Sequence, residues 1–292
     1  MTVGKKSMKW IPLIMILPVV IIRGFTTIYP ILVTMVNSLY NIKVLSGIHE
    51  FTGLSNYVDV FKDDKIISSI QFTAIFVVVS MAFHVVLGVI LALILNMKFR
   101  GRRFLRTIVL IPWAMPAVVI GMAAKWGFNN DYGLINDFIR RFFSDFQYNW
   151  LINKGSARAA VIAMDLWKDL PFFAILVLSG LQFISGDIYE AAKVDGASSF
   201  QSFKRITLPL ITRNVLTLCI PFTLWRLTSF DLVYAMTSGG PGEDTSLIAY
   251  RIAMESFTNL NIGYASTLAI MLFIVMVLFS WFNIRFMRRY AE

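Results

Sequence analysis

The chain has 292 residues, of which 57% are hydrophobic and only 15% charged, and it carries a formal net charge of +10. That composition excludes an ordinary soluble domain. The basic excess does not point to nucleic acid, because the charges collect at the ends of apolar segments. The single cysteine, Cys219, lies in an apolar stretch and reads as a small hydrophobe. No histidine–cysteine cluster suggests a metal, and His84 is expected to be a satisfied packing residue.

In chain order, Lys5, Lys6 and Lys9 precede an apolar run over about 10–40, too long for a signal peptide and read as an uncleaved first spanning helix. Arg23 interrupts it, and a mid-membrane arginine is costly unless it faces protein or water or snorkels to an interface. Residues 41–66 are polar, with a turn at Phe51–Tyr57 and a short amphipathic helix after it. A second span is predicted over 67–95, followed by the basic cluster Lys98, Arg100, Arg102, Arg103 and Arg106. The third, 105–128, contains Pro112 and Pro116, which should bend it. A longer polar stretch, 129–156, is expected outside.

The fourth span, 157–183, holds Asp165, Trp167, Lys168 and Asp169. The fifth, 211–236, holds Trp225, Arg226, Ser229 and Asp231. Ionisable groups at such depth should pair with one another or line a wet cavity. The glycine-rich turn at Thr237–Gly242 is not a phosphate loop, since no Lys-Ser or Lys-Thr follows at the required spacing. The sixth span covers 264–284, and Arg285, Arg288 and Arg289 follow. With the N-terminus inside, fifteen lysines and arginines fall in inner segments and eight in outer ones, which favours both termini in the cytoplasm.

Between the fourth and fifth spans lies a polar elbow, 187–209. Asp187 with Glu190 looks like a capping-box start, and Gly196 ends the first short helix in a left-handed turn. Ser198 with Gln201 caps a second helix, whose Phe200, Phe203, Ile206 and Leu210 are spaced to form one apolar face. Pro209 marks the junction with the next span.

The elbow carries a resemblance. Glu190-Ala191-Ala192, three residues, Gly196, nine residues, Ile206, one residue and Leu208-Pro209 match the EAA loop of bacterial ABC importer permeases, and Asp195-Gly196-Ala197 is similar to the sugar-permease branch. The stretch Phe51–Phe61, the IPWAMP phrase, the WxxxPF pattern from Trp167 to Phe172 and the run from Phe230 to Gly242 resemble that branch too. The resemblance implies an all-α membrane protein of six transmembrane helices, a type I importer permease in the bacterial cytoplasmic membrane. It implies that the elbow docks on a separate ABC ATPase dimer, which binds the ATP and magnesium. A second, similar permease forming a heterodimer and an external solute-binding protein would complete the assembly. No cofactor is expected in this chain, and no catalytic residue.

The implied cargo is a sugar or oligosaccharide, moved by alternating access; glycerol phosphates or other polyols are the alternative within the class, and an ATPase-independent channel or scaffold the alternative outside it. Asp165, Trp167, Lys168, Asp169, Trp225, Arg226, Ser229 and Asp231 are candidates for the substrate path. An internal salt-bridge network and an interfacial aromatic belt are the competing roles for the same residues.

Overall fold

The computed structural model describes residues 11–289, so Lys5, Lys6, Lys9 and Trp10 lie outside the described residues. The chain divides into two compact units, one running up to Lys62 and joined by Ile252–Met271, the other comprising Asp63–Arg251 and the chain from Leu272.

In the first unit, α1 (Ile11–Arg23) and α2 (Tyr29–Asn37) are joined without a break by a π turn, Gly24–Ile28. The turn has a local cause: Pro30, at the start of α2, has no N–H to return to the preceding turn. A hairpin follows that the sequence reading did not anticipate. Strand β1 (Tyr40–Lys43) pairs antiparallel with β2 (Ile48–Phe51), Tyr40 opposite Phe51, through a turn closed by Gly47 at φ 63°. The expected short helix is α3 (Ser55–Val60). Its buried Asn56 donates from Nδ2 to the carbonyls of Ser38 (3.1 Å) and Tyr40 (2.9 Å), fastening the hairpin to the end of α2. Gly263 lies so close beneath Tyr40 that a Cβ would meet its carbonyl oxygen at 2.0 Å.

In the second unit, α4 (Asp64–Asn96) starts under an Asp63 cap and runs for 33 residues. Arg106 donates to the Leu95 carbonyl through Nε (3.2 Å) and Nη2 (2.7 Å), so one member of the basic cluster closes the C-terminus of α4. The third predicted span is broken into α5 (Arg102–Val109), α6 (Ile111–Ala114) and α7 (Ala117–Gly127), with an 86° bend at the Pro116 junction. The polar stretch 129–156 folds around α8 (Leu134–Arg140), where buried Asn136 donates to Asn130 and Tyr148 carbonyls and accepts from Trp150 Nε1 at 2.7 Å.

Helix α9 (Lys154–Leu181) packs along α4. Phe173, Ala174, Val177 and Leu181 close a core with Val89, Ala92, Leu95, Ile211 and Phe222. Gly88 permits this approach, since a Cβ there would lie 2.5 Å from the Phe173 ring. After α10 (Gly186–Val194) and α11 (Ser199–Ser202), a π turn leads into α12 (Leu208–Leu227). The fifth span was expected to continue to 236. Instead it stops at Leu227, Thr228 turns its hydroxyl back onto the Leu224 carbonyl (3.0 Å), and a separate α13 (Asp231–Met236) packs on α7. The segment beyond that break, DLVYAM, is itself strongly apolar, so hydropathy could not reveal it. Then come α14 (Ile248–Ala253), a π turn, and α15 (Ile262–Arg289).

Among the described residues, four helices are long and apolar enough to cross a membrane, Ile14–Asn37, Asp64–Asn96, Ser199–Leu227 and Ile262–Arg288, or five if the bent α5–α7 segment is taken as one span. Helix α9 is equally long, but Asp165, Lys168 and Asp169 in its middle keep it from qualifying on composition.

Candidate functional site

Two regions of the second unit carry the chemistry singled out in the sequence: the elbow between α9 and α12, and a charged group inside the helix packing.

The elbow is built by local hydrogen bonds. The cap of α10 is Ser185, whose Oγ accepts from the Asp187 amide (3.3 Å); Asp187 itself lies in the first turn, which corrects the expected cap. At the other end, Gly196 takes φ 78°, the Gly196 amide bonds the Lys193 carbonyl (3.1 Å) and the Ala197 amide bonds the Ala192 carbonyl (2.9 Å). This is a complete Schellman closure. The Ser198–Gln201 capping box is fully formed, with Ser198 N donating to Gln201 Oε1 (2.8 Å) and Gln201 N to Ser198 Oγ (3.2 Å). A π turn, Phe203–Thr207, then precedes Pro209 in the first turn of α12. The extra residue in that turn shifts the helical register. The apolar face expected of Phe200, Phe203, Ile206 and Leu210 is therefore split: Phe203 and Ile206 are half-buried, Phe200 and Leu210 exposed.

Tyr189 Oη and Thr207 Oγ1 lie 2.9 Å apart and tie the two arms of the elbow together. Behind them a cavity of about 590 Å³ is lined by Leu93, Asn96, Leu181, Tyr189, Phe203 and Thr207 among others. Glu190, Ala191, Asp195, Gly196, Leu208 and Pro209 are exposed, and Ala192 and Ile206 half-buried. Val194, Phe200 and Phe183 add large exposed apolar surface, Val194 being 87% exposed. The elbow thus exposes large apolar side chains together with the carboxylates Glu190 and Asp195.

The charged group centres on Arg226 of α12, which is 1% exposed. Its Nε donates to Asp165 Oδ2 of α9 (3.0 Å), its Nη1 to the Phe222 carbonyl (2.9 Å) and its Nη2 to His84 Nε2 of α4 (2.7 Å). His84 Nδ1 lies 2.7 Å from the Ser80 carbonyl, to which it donates, leaving Nε2 as the acceptor for Arg226. Asp169 Oδ2 lies 3.8 Å from Arg226 Nη2, and Asp169 Oδ1 accepts from Lys168 Nζ at 2.7 Å. Two cations therefore face two carboxylates, and three helices are joined through one guanidinium.

Of the eight candidate path residues, Asp165, Lys168, Asp169 and Arg226 are brought together. Trp225, next to Arg226 in α12, lies against Phe222 (ring centroids 5.1 Å) and is 50% exposed; Trp167 of α9 is also 50% exposed, about two hundred degrees round the helix from Asp165 and Asp169. Ser229 sits in the break after α12 and Asp231 is exposed on α13, both outside the charged group. The sequence reading missed the rings that complete the site. Trp113 of α6 stacks on Phe172 (centroids 4.1 Å, 14° between planes), and Phe172 stacks in turn on Trp225 (6.3 Å, 26°). Both Trp113 and Phe172 belong to motifs already noted, IPWAMP and WxxxPF, so their place in those motifs was the available signal. His84 proves to be packed and satisfied, as expected, and also serves as a partner of Arg226.

Residues 84–292 match the family described as binding-protein-dependent transport system inner membrane component. The chain is 37% identical to the trehalose/maltose transport system permease protein MalF of Thermococcus litoralis, over 91% of this chain and 90% of that one. It is 33% identical to the sulfoquinovosyl glycerol transport system permease protein SmoG of Agrobacterium fabrum, over 89% and 84% respectively. Its fold is similar to that of a chain in a crystal structure of a bacterial alginate ABC transporter bound to an alginate-pentasaccharide-loaded periplasmic protein. There the TM-score is 0.85 at 22% identity, covering 98% of this chain and 96% of that one.

Proposed function

Since the chain belongs to the binding-protein-dependent transport system inner membrane component family, it is a multi-pass permease subunit, and we propose that it imports a sugar or short oligosaccharide. The observation that carries the sugar is the 37% identity, along nearly the whole chain, to a trehalose/maltose permease protein. Half-exposed Trp225, next to Arg226 in α12, offers a flat apolar face to a sugar ring, and half-exposed Trp167 of α9 is a second candidate ring.

In this reading the elbow is the lever. Glu190 and Asp195 make polar contacts with a cytoplasmic ATPase dimer, which supplies the ATP and magnesium, and the exposed Val194 and Phe200 fill its docking cleft. A lever must be rigid to transmit motion. The Schellman closure, the capping box and the Tyr189–Thr207 contact make this one so. Closure of the ATPase dimer moves the elbow, α9 and α12 move with it, and the path opens alternately to the two sides of the cytoplasmic membrane. A loaded solute-binding protein delivers the cargo outside, and a second permease of unlike sequence completes the path.

Within the site the roles divide. Arg226 and Asp165 satisfy one another and hold α4, α9 and α12 in register; Trp225 and Trp167 are the substrate contacts. The test is uptake by the reconstituted complex. Trp225→Ala is expected to lower uptake of trehalose or maltose about tenfold, the effect of losing about 1.4 kcal/mol of stacking, while the complex still assembles. Unchanged uptake with both sugars would remove Trp225 from the path.

A further inference from the structure

The cavity behind the elbow is walled by three parts of the second unit: Leu93 and Asn96 at the end of α4, Leu181 at the end of α9, and the elbow itself. Its volume of about 590 Å³ lies within the range of small-molecule sites. The polar part of the wall is rich in donors. Lys193 supplies an ammonium, Ser199 and Ser202 supply hydroxyls, and Asn96 adds an amide from α4. Among the described residues no Asp or Glu lines the cavity, no carboxylate pairs with Lys193, and the Ser199, Ser202 and Asn96 side chains make no hydrogen bond. Arg106, bonded to the Leu95 carbonyl, brings a second cation to the residue before Asn96. An ammonium among neutral donors, with no carboxylate to compete, suits a phosphate group and repels a cation.

The cavity is separate from the face that meets the ATPase. Tyr189 and Lys193, four residues apart on α10, line it, while Glu190 and Val194 lie about 100° further round that helix. An occupant and a docked partner are therefore compatible. The same occupant touches both α4 and the elbow, so it ties the moving arm to a helix outside it.

We propose that this cavity binds a phosphate-bearing anion, from an acidic lipid headgroup or a free phosphorylated metabolite, and that the bound anion brakes transport. Lys193, Ser199, Ser202 and Asn96 hold the phosphate, and Leu93, Leu181 and Phe203 pack against the rest of the ligand. The proposal rests on the reading of the elbow as a lever and adds a means of regulating it.

The test uses the whole complex in phosphatidylcholine proteoliposomes, with the ATPase facing the lumen and ATP sealed inside. Glucose 6-phosphate sealed in the lumen probes the free source, and phosphatidic acid mixed into the bilayer probes the lipid source. Wild-type uptake is expected to fall severalfold with one of them, and which one does so identifies the source. In Lys193→Gln uptake should hold at the probe-free rate. Binding of the radiolabelled probe, measured without ATP, should weaken about tenfold in that variant through loss of one charge-assisted bond. Ser202→Leu, which fills the cavity without changing any charge, should weaken binding as much. Uptake that neither probe lowers, or that a probe lowers equally in wild type and Lys193→Gln, would overturn the proposal. The lever reading fails separately, if Glu190→Lys with no probe present imports sugar and hydrolyses ATP at wild-type rates.

Discussion

The elbow and the charged group around Arg226 are both polar, yet they are held together in opposite ways. Every bond that shapes the elbow's caps joins residues within a few positions of each other, and most of the surface it offers is exposed. The charged group joins Arg226 to Asp165 across 61 residues and to His84 across 142, and almost none of it is exposed. A lever that meets a partner in water must keep its own shape, and local caps do that cheaply. A polar group inside a membrane protein must satisfy itself completely, which takes several helices at once.

Breaking the charged group should have the largest effect. Arg226→Ala or Asp165→Ala leaves the other charge buried and unpaired, at a cost of about 3–5 kcal/mol. Each is expected to lower the thermal stability of the purified complex sharply. Arg226→Met combined with Asp165→Leu should recover most of that stability, since a buried pair replaced by apolar groups of similar size is close to neutral. Single variants as stable as the wild type in a melting experiment would show the group is not a structural tie.

At the elbow the expected effects are smaller and fall on coupling. Gly196→Ala places a side chain where nothing lies within 4 Å, so its cost is conformational only: φ 78° is left-handed, worth about 1–2 kcal/mol for an L-residue. Transport should fall severalfold while insertion and melting stay near wild type. Ser198→Ala removes one arm of the capping box and should cost about 1 kcal/mol, visible as faster backbone hydrogen exchange confined to α11 and the π turn. If either variant instead lowered the melting temperature as far as Arg226→Ala does, the contrast between a local lever and a shared core would fail.

The same contrast explains what could be read from the sequence. The Ser198 box and the Gly196 turn were legible because their signals lie within three or four residues. The cap at Ser185 was missed for a polar residue two positions on, Asp187, since both types cap helices well. The exposed positions of Phe200 and Leu210 were missed because a π turn adds a residue that helical spacing does not anticipate. The long helices coincide with apolar runs legible in the sequence, but the end of α12 at Leu227 was not legible, because α13 beyond it is strongly apolar too. The charged residues of α9 and α12 were legible as requiring partners; which partners, and that His84 is one of them, depends on packing between distant helices. The hairpin at Tyr40–Phe51 follows from anchoring by Asn56 and the close approach of Gly263, neither of which leaves a local pattern.

In the proposed mechanism the elbow transmits ATPase motion to the membrane helices. The most direct measurement is ATP hydrolysis and uptake in proteoliposomes holding the whole complex, stimulated by loaded binding protein, with Glu190→Lys beside the wild type. The account predicts that the variant is inserted and paired normally, yet loses stimulated hydrolysis and uptake together by about tenfold or more, the equivalent of about 1.4 kcal/mol or more of docking energy. Stimulated hydrolysis and uptake both equal to wild type would contradict it, and would leave the exposed face of the elbow without the role assigned to it.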